Sequence, residues 1–271
     1  MHKLALRLLF VGTASLTCGF AAVQESMVKL LVVNPNISES VTALIHAEAQ
    51  RSAGAGTELT VLTAPFGVAY IETRFEALIG AYATATLGAA HAHGHDALIV
   101  AAFGDPGLTA LREAMPIPVV GLTESALMTA CQLGQRFSIV AISRRITAWY
   151  RECVEANGLI GRLVSIRSLE HPLRDIGSVQ QDDRQALCDL IRDCVRDGAD
   201  VVIVAGAPLA GLARQVSSEV PVPLVDGISS AVRQAEALVR LGAPKATAGS
   251  LARLPMKLHR GLDPAIARLL G

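Results

Sequence analysis

Three carboxylates in this sequence stand where an acid or a base would be useful. Asp105, Glu124 and Asp226 each fall at, or just beyond, the end of a short apolar run, and a carboxylate held at such a corner can move a proton, typically for about 10²–10⁴ in rate. These are the catalytic candidates. Each also has a plainer reading: Asp105 as an N-cap before Pro106, Glu124 as a first-turn partner of a helix dipole, and Asp226 as the cap of a helix opening at Gly227. Glu72 opens a further helical stretch. Two corners, Gly104-Asp105-Pro106-Gly107 and Gly206-Ala207-Pro208, put glycine after an apolar run and proline near the first helical turn, where its missing N–H costs nothing. The free N–H groups of such helix starts suit a carboxylate or an imide carbonyl oxygen. Asn34, Asn36 and Thr123, also at strand ends, supply neutral donors and acceptors. With Phe103, Gly104, Gly206, Ala207 and Pro208 they form the expected substrate-binding set.

Other reactive side chains have weaker patterns. Cys18, Cys131, Cys153, Cys188 and Cys194 show no CxxC or other metal-ligand spacing, and five is not the count of a disulfide framework. Cys131 and Cys153 fall inside helical stretches, Cys188 and Cys194 share another, and all four read as small core residues. His91, His93 and His95 surround Gly94 at a helix end, where a helix stop and the C-terminal dipole explain them as well as metal binding does; no metal site is assigned. Arg144 and Arg145 follow a strand end and suit either a bidentate grip on a carboxylate or a solvated loop. Tyr70 and Arg74 lie near the first-half corners.

Positioning these groups is the task of an alternating chain. Its 271 residues are 51% hydrophobic, with 24 Lys+Arg against 24 Asp+Glu, a composition that buries a core without staples and offers no charge field for nucleic acid or an anionic membrane. Apolar runs predict strands over Lys29–Val33, Glu58–Thr63, Ala97–Ala102, Val119–Gly121, Phe137–Ile142, Leu163–Ile166, Val201–Ala205 and Leu224–Val225. Longer periodic stretches predict helices over Ser38–Ala53, Glu72–His93, Leu108–Met115, Glu124–Leu133, Ile146–Asn157, Asp182–Asp197, Gly211–Ser217 and Gly227–Leu241. Runs without alternation need helices on both faces of a parallel sheet, so the class is α/β. The strand-then-corner pattern occurs twice in each half, which predicts two pseudo-symmetric, doubly wound lobes with a ligand cleft between them.

The lobes are expected over residues 27–122, which regain a helix from the C-terminal side, and 123–241, followed by a basic tail over 242–271 that docks on the body or on a neighbouring subunit. Residues 1–26 imitate a secretory signal, with His2, Lys3 and Arg7 before the apolar stretch Leu8 to Ala22, or else precede a true start at Met27. A cytoplasmic protein is expected on the second reading and an exported one on the first.

Val33-Asn34-Pro35-Asn36, Ile71-Glu72, Phe103-Gly104-Asp105-Pro106-Gly107-Leu108, Pro118-Val119-Val120-Gly121 with Glu124, and Phe137-Ser138-Ile139-Val140 resemble the aspartate/glutamate/hydantoin racemase superfamily, closest to its hydantoin and allantoin racemase branch. The resemblance covers roughly Val28 to Leu241. It implies a cofactor-independent isomerase fold of two lobes, a small-molecule substrate, a homo-oligomer, and a cysteine at each of two strand ends, one removing the α-proton and the other returning it. Those two positions match Ala102 and Gly206, and neither is a cysteine. What the resemblance implies is therefore a protein that binds a small carboxylate, hydantoin or related amide and lacks the two-thiol mechanism. It is a divergent isomerase, lyase or hydrolase, a non-catalytic binder, or a racemase with a different base pair.

Overall fold

Val-, Ile- and Leu-rich runs with no polar alternation find cover only when helices pack on both sides of the sheet they form. The computed structural model describes residues 27–270 and builds that arrangement twice; the signal-like segment and Cys18 lie outside the described residues. The first sheet is made of β1 (Val28–Asn34), β2 (Thr57–Thr63), β3 (Ala97–Val100) and β4 (Val119–Gly121), interleaved with α1 (Glu39–Ser52), α2 (Arg74–His91) and α3 (Leu108–Ala114). After α4 (Leu122–Leu133) the pattern restarts with β5 (Phe137–Ala141), α5 (Thr147–Ala156), β6 (Leu163–Ser168), α6 (Val179–Asp182), α7 (Arg184–Arg196), β7 (Val201–Val204), α8 (Leu212–Val216), β8 (Leu224–Asp226) and α9 (Gly227–Leu241). A last helix, α10 (Pro264–Leu270), packs on α2.

Both sheets are fully parallel and share one order, β2-β1-β3-β4 and β6-β5-β7-β8. The expected pair of doubly wound α/β lobes is borne out. In each sheet the chain reverses its winding between the two central strands, β1 and β3 or β5 and β7. The carboxyl ends of those strands are where such sheets open a crevice.

Several boundaries differ from the sequence expectation, each for a local reason. The strand expected over Ala97–Ala102 stops at Val100, because after the Ala101 N–H bonds Val33 the chain turns, with Asp105 N–H donating to the Ala102 carbonyl at 3.2 Å. Glu72 does not open α2. Thr73 is the N-cap, its hydroxyl accepting from the Glu76 N–H at 3.1 Å while the Glu76 carboxylate accepts from the N–H groups of Thr73 and Glu72. The helix expected over Asp182–Asp197 is broken at Asp183, giving α6 and α7.

Helices α4 and α9 bind the lobes together. α4 follows β4 yet packs on β7 and β8, and α9 returns from β8 to lie across β1, β3 and β4. α9 is held by Glu236, only 2% exposed, which accepts from the Gly54 N–H at 2.7 Å and the Thr57 hydroxyl at 2.5 Å. Burial works against that charge, but bonds from Thr57, Gly54 and Arg233 outweigh it and hold the carboxyl below its usual range. Buried Glu48 of α1 makes a second bridge, to Arg214 at 2.9 Å and to the Ser229 hydroxyl at 3.0 Å. The tail docks on its own chain, Lys245 donating to the carbonyls of Glu113 and Met115 where α3 ends. No helix among the described residues is long and apolar enough to cross a membrane.

Replacing Glu236 by Ala leaves the Gly54 and Thr57 donors without their acceptor, so urea unfolding should show a loss of about 2–4 kcal/mol. A loss below about 0.5 kcal/mol, the usual range for an exposed ion pair, would contradict this role.

Candidate functional site

The corner after β3 carries the densest set of sequence-predicted residues. Gly104 has φ +104°, Gly107 φ +77°, and Asp105, at φ +47°, is the one non-glycine residue with positive φ among the described residues. This left-handed stretch turns the Asp105 side chain back across the corner. Its carboxylate accepts from the N–H groups of Thr123 at 2.8 Å and Glu124 at 2.9 Å, in the first turn of α4. Asp105 is therefore not the N-cap of the helix that follows it: Gly107 holds that position, and Asp105 satisfies the open donors of α4 instead. Thr123 returns the contact, its hydroxyl accepting from the Gly104 N–H at 2.5 Å. Burial pushes the Asp105 carboxyl up to about 6, against the lowering pull of the Glu124 and Thr123 N–H groups.

The corner after β7 has the same brace built from the other side. Asp226 caps α9 through the Ser229 N–H at 3.0 Å and also accepts from the Gly211 N–H at 2.7 Å, tying the loop to the helix start. Burial, and behind it the nearby Glu48 charge, raises this carboxyl too. Gln180, which the sequence reading did not single out, is 4% exposed and donates to the carbonyls of Pro208 at 2.9 Å and Ala210 at 3.0 Å. Ala207 and Pro208 thus sit in a short 3-10 turn fixed from two directions. Gly206 precedes it at φ +106° and ψ 140°, a conformation essentially reserved for glycine.

Glu124 pairs with Arg112 at 2.8 Å. Asn34 is fully buried and spends its amide on Asn36, Ser38 and Thr42, while the Asn36 side-chain oxygen accepts from the Ser38 N–H; both stitch the β1 to α1 corner. Arg144 and Arg145 line a cavity of about 300 Å³ with Tyr70, Glu72 and Ser143, and Arg74 reaches across to pair with Glu152 of α5. His95 bonds the His91 carbonyl and the Thr60 hydroxyl.

α5 contributes what the sequence reading missed. Trp149 lies against the Gly104 backbone so closely that a β-carbon there would meet its ring at 2.3 Å. The Tyr150 ring packs on Phe103 with centroids 4.6 Å apart, tilted by 54°. Cys153, expected in the core, is half-buried with its sulfur 3.9 Å from the Gly104 carbonyl. Burial and the nearby Asp105 push that thiol up to about 12, so it stays protonated near neutral pH. Cys188 and Cys194 are buried, as core residues should be. One signal for this face was available: Trp149 is the single tryptophan of the chain and adjoins one of only three tyrosines.

The class so defined is a two-lobed α/β protein with one strand order in both sheets and a glycine-bearing corner at the reversal point of each. Residues 30–235 match the Asp/Glu/Hydantoin racemase family, and the chain belongs to it. It is 33% identical over 228 residues to the hydantoin racemase of Paenarthrobacter aurescens, an alignment covering 82% of this chain and 95% of that one. Among solved structures, the allantoin racemase from Klebsiella pneumoniae superposes with a TM-score of 0.84 at 31% identity, covering 88% of this chain and 98% of that one. The allantoin racemase from Pseudomonas fluorescens gives 0.79 at 32%, covering 86% of this chain and all 100% of that one.

Two predictions arise from these corners. Because burial holds the Asp105 carboxyl above its unfolded value, it favours the fold most below pH 4, and that benefit is lost as pH rises towards 6. Carboxyl ¹³C NMR should show it titrating near 6; a midpoint at or below 4 would contradict the burial. Replacing Gly104 by Ala, which meets both the Trp149 ring and a positive φ, should cost at least ~2 kcal/mol in thermal or urea unfolding.

Proposed function

We propose that this protein holds a small hydantoin, related cyclic amide or carboxylate between its two lobes and acts on it as a divergent enzyme of the racemase kind, without two opposed thiols. The observation that carries this reading is the pair of residues at the positions resembling the family's cysteines: Ala102 and Gly206 offer a methyl group and a hydrogen. A positioned acid or base is worth about 10²–10⁴ in rate, so losing both removes on the order of 5–11 kcal/mol of barrier lowering. The backbone supports glycine as native at 206, since a cysteine at φ +106° would be strained.

Nor do the carboxylates restore an opposed pair. Both oxygens of Asp105 and of Asp226 accept backbone N–H groups, and Glu124 is paired with Arg112. One-sided proton transfer through a bound water or a neutral side chain fits this setting. Decarboxylation and hydrolysis both use it. A second reading, racemisation by another pair of groups, is favoured by the 33% identity to a hydantoin racemase over 82% of the chain.

Incubation with enantiopure 5-substituted hydantoins and allantoin in D₂O separates the two. The proposed function predicts that these compounds raise the melting temperature and that at least one is turned over while exchange at the α-carbon stays at the uncatalysed rate. A rise without any turnover favours a non-catalytic binder. Incorporation of α-deuterium with matching loss of optical rotation would establish the second reading instead.

A further inference from the structure

We propose that the hydroxyl of Tyr150 is the hydrogen-bond donor of the second lobe's side of the cleft, binding a carbonyl or carboxylate oxygen of the ligand beside Gly206. This deepens the proposed function and rests on it. Tyr150 is only 3% exposed, yet its hydroxyl makes no hydrogen bond to any described residue. Every fully buried polar side-chain atom among the described residues does have a partner, so this hydroxyl lies where solvent, or a ligand, reaches it. A phenol so placed gains when an acceptor arrives.

Its direction is fixed. The ring is held between Phe103, at 4.6 Å, and Trp149, at 6.1 Å between centroids, so little conformational freedom is left to lose on binding. The hydroxyl oxygen is 3.9 Å from the point where a β-carbon on residue 206 would stand. Glycine at 206 leaves that space open, and the hydroxyl borders it. Burial, with Cys153, Asp105 and Glu72 nearby, raises the hydroxyl well above the usual tyrosine range. It is therefore a neutral donor near physiological pH, suited to an acceptor oxygen and unsuited to act as a base.

Calorimetric binding of 5-methylhydantoin, its 2-thio and 4-thio analogues, and allantoin to the wild-type protein and to Tyr150→Phe tests this. Sulfur is the weaker acceptor, so the wild type should prefer the oxygen compound over at least one thio analogue. Tyr150→Phe, which keeps the ring packing, should weaken 5-methylhydantoin about tenfold and abolish that preference. Unchanged affinity, or a loss equal for oxygen and sulfur compounds, overturns the role of Tyr150 alone. No binding of any probe by the wild type overturns the reading of the cleft as well. Should the variant not fold, the ¹³Cζ resonance of Tyr150 in the wild-type protein decides: it should shift when 5-methylhydantoin is added, and a fixed resonance at saturation rejects the contact.

Discussion

In each lobe one carboxylate ties a strand-end loop to the start of the helix that follows the neighbouring strand, and the shape of that corner depends on the bond. The loops after β3 and β7 carry left-handed residues, which an L-polypeptide does not hold without support. Asp105 gives that support from the loop, reaching the Thr123 and Glu124 N–H groups, and Asp226 gives it from the helix, reaching the Gly211 N–H. The same constraint is met by residues on opposite partners, as two lobes of one architecture require only that some acceptor bridge loop and helix. Two backbone donors for each carboxylate also offset part of the desolvation that raises both acids.

These bonds decide what the two corners offer chemically. Carboxylates that read as acids or bases in the sequence are consumed as structural acceptors, and the asparagines of the first corner are spent on each other and on Ser38 and Thr42. Against Phe103, Gly104 and Gly206 lies an aromatic surface from α5, with one phenol and one protonated thiol. Such a surface favours a flat, polar, uncharged or singly charged ring over a strongly ionic ligand, in keeping with the proposed function.

The sequence made the framework legible because its signals are local. Apolar runs gave the eight strands of the described residues, and glycine followed by proline marked the corners after β3 and β7. Local signals misled where a distant partner decided the outcome. Asp105 before Pro106 has the pattern of an N-cap, but a positive φ, a tertiary outcome, sends its side chain to α4. Glu72, by contrast, lost the helix start to a local rival, Thr73, through its capping box with Glu76. Gln180 and Tyr150 sit on helices whose facing partners lie far along the chain, Pro208 and Phe103. Nothing in their own neighbourhoods points across that gap.

A crystal structure with 5-methylhydantoin or allantoin bound tests the central claim most directly. The ring should lie between the Ala102 methyl group and the Gly206 α-carbon, with no thiol in contact with its α-carbon. A cleft left empty at saturating ligand, or a ring held instead beneath the C-terminal tail beside Lys245, Arg253 and Arg268, would contradict it.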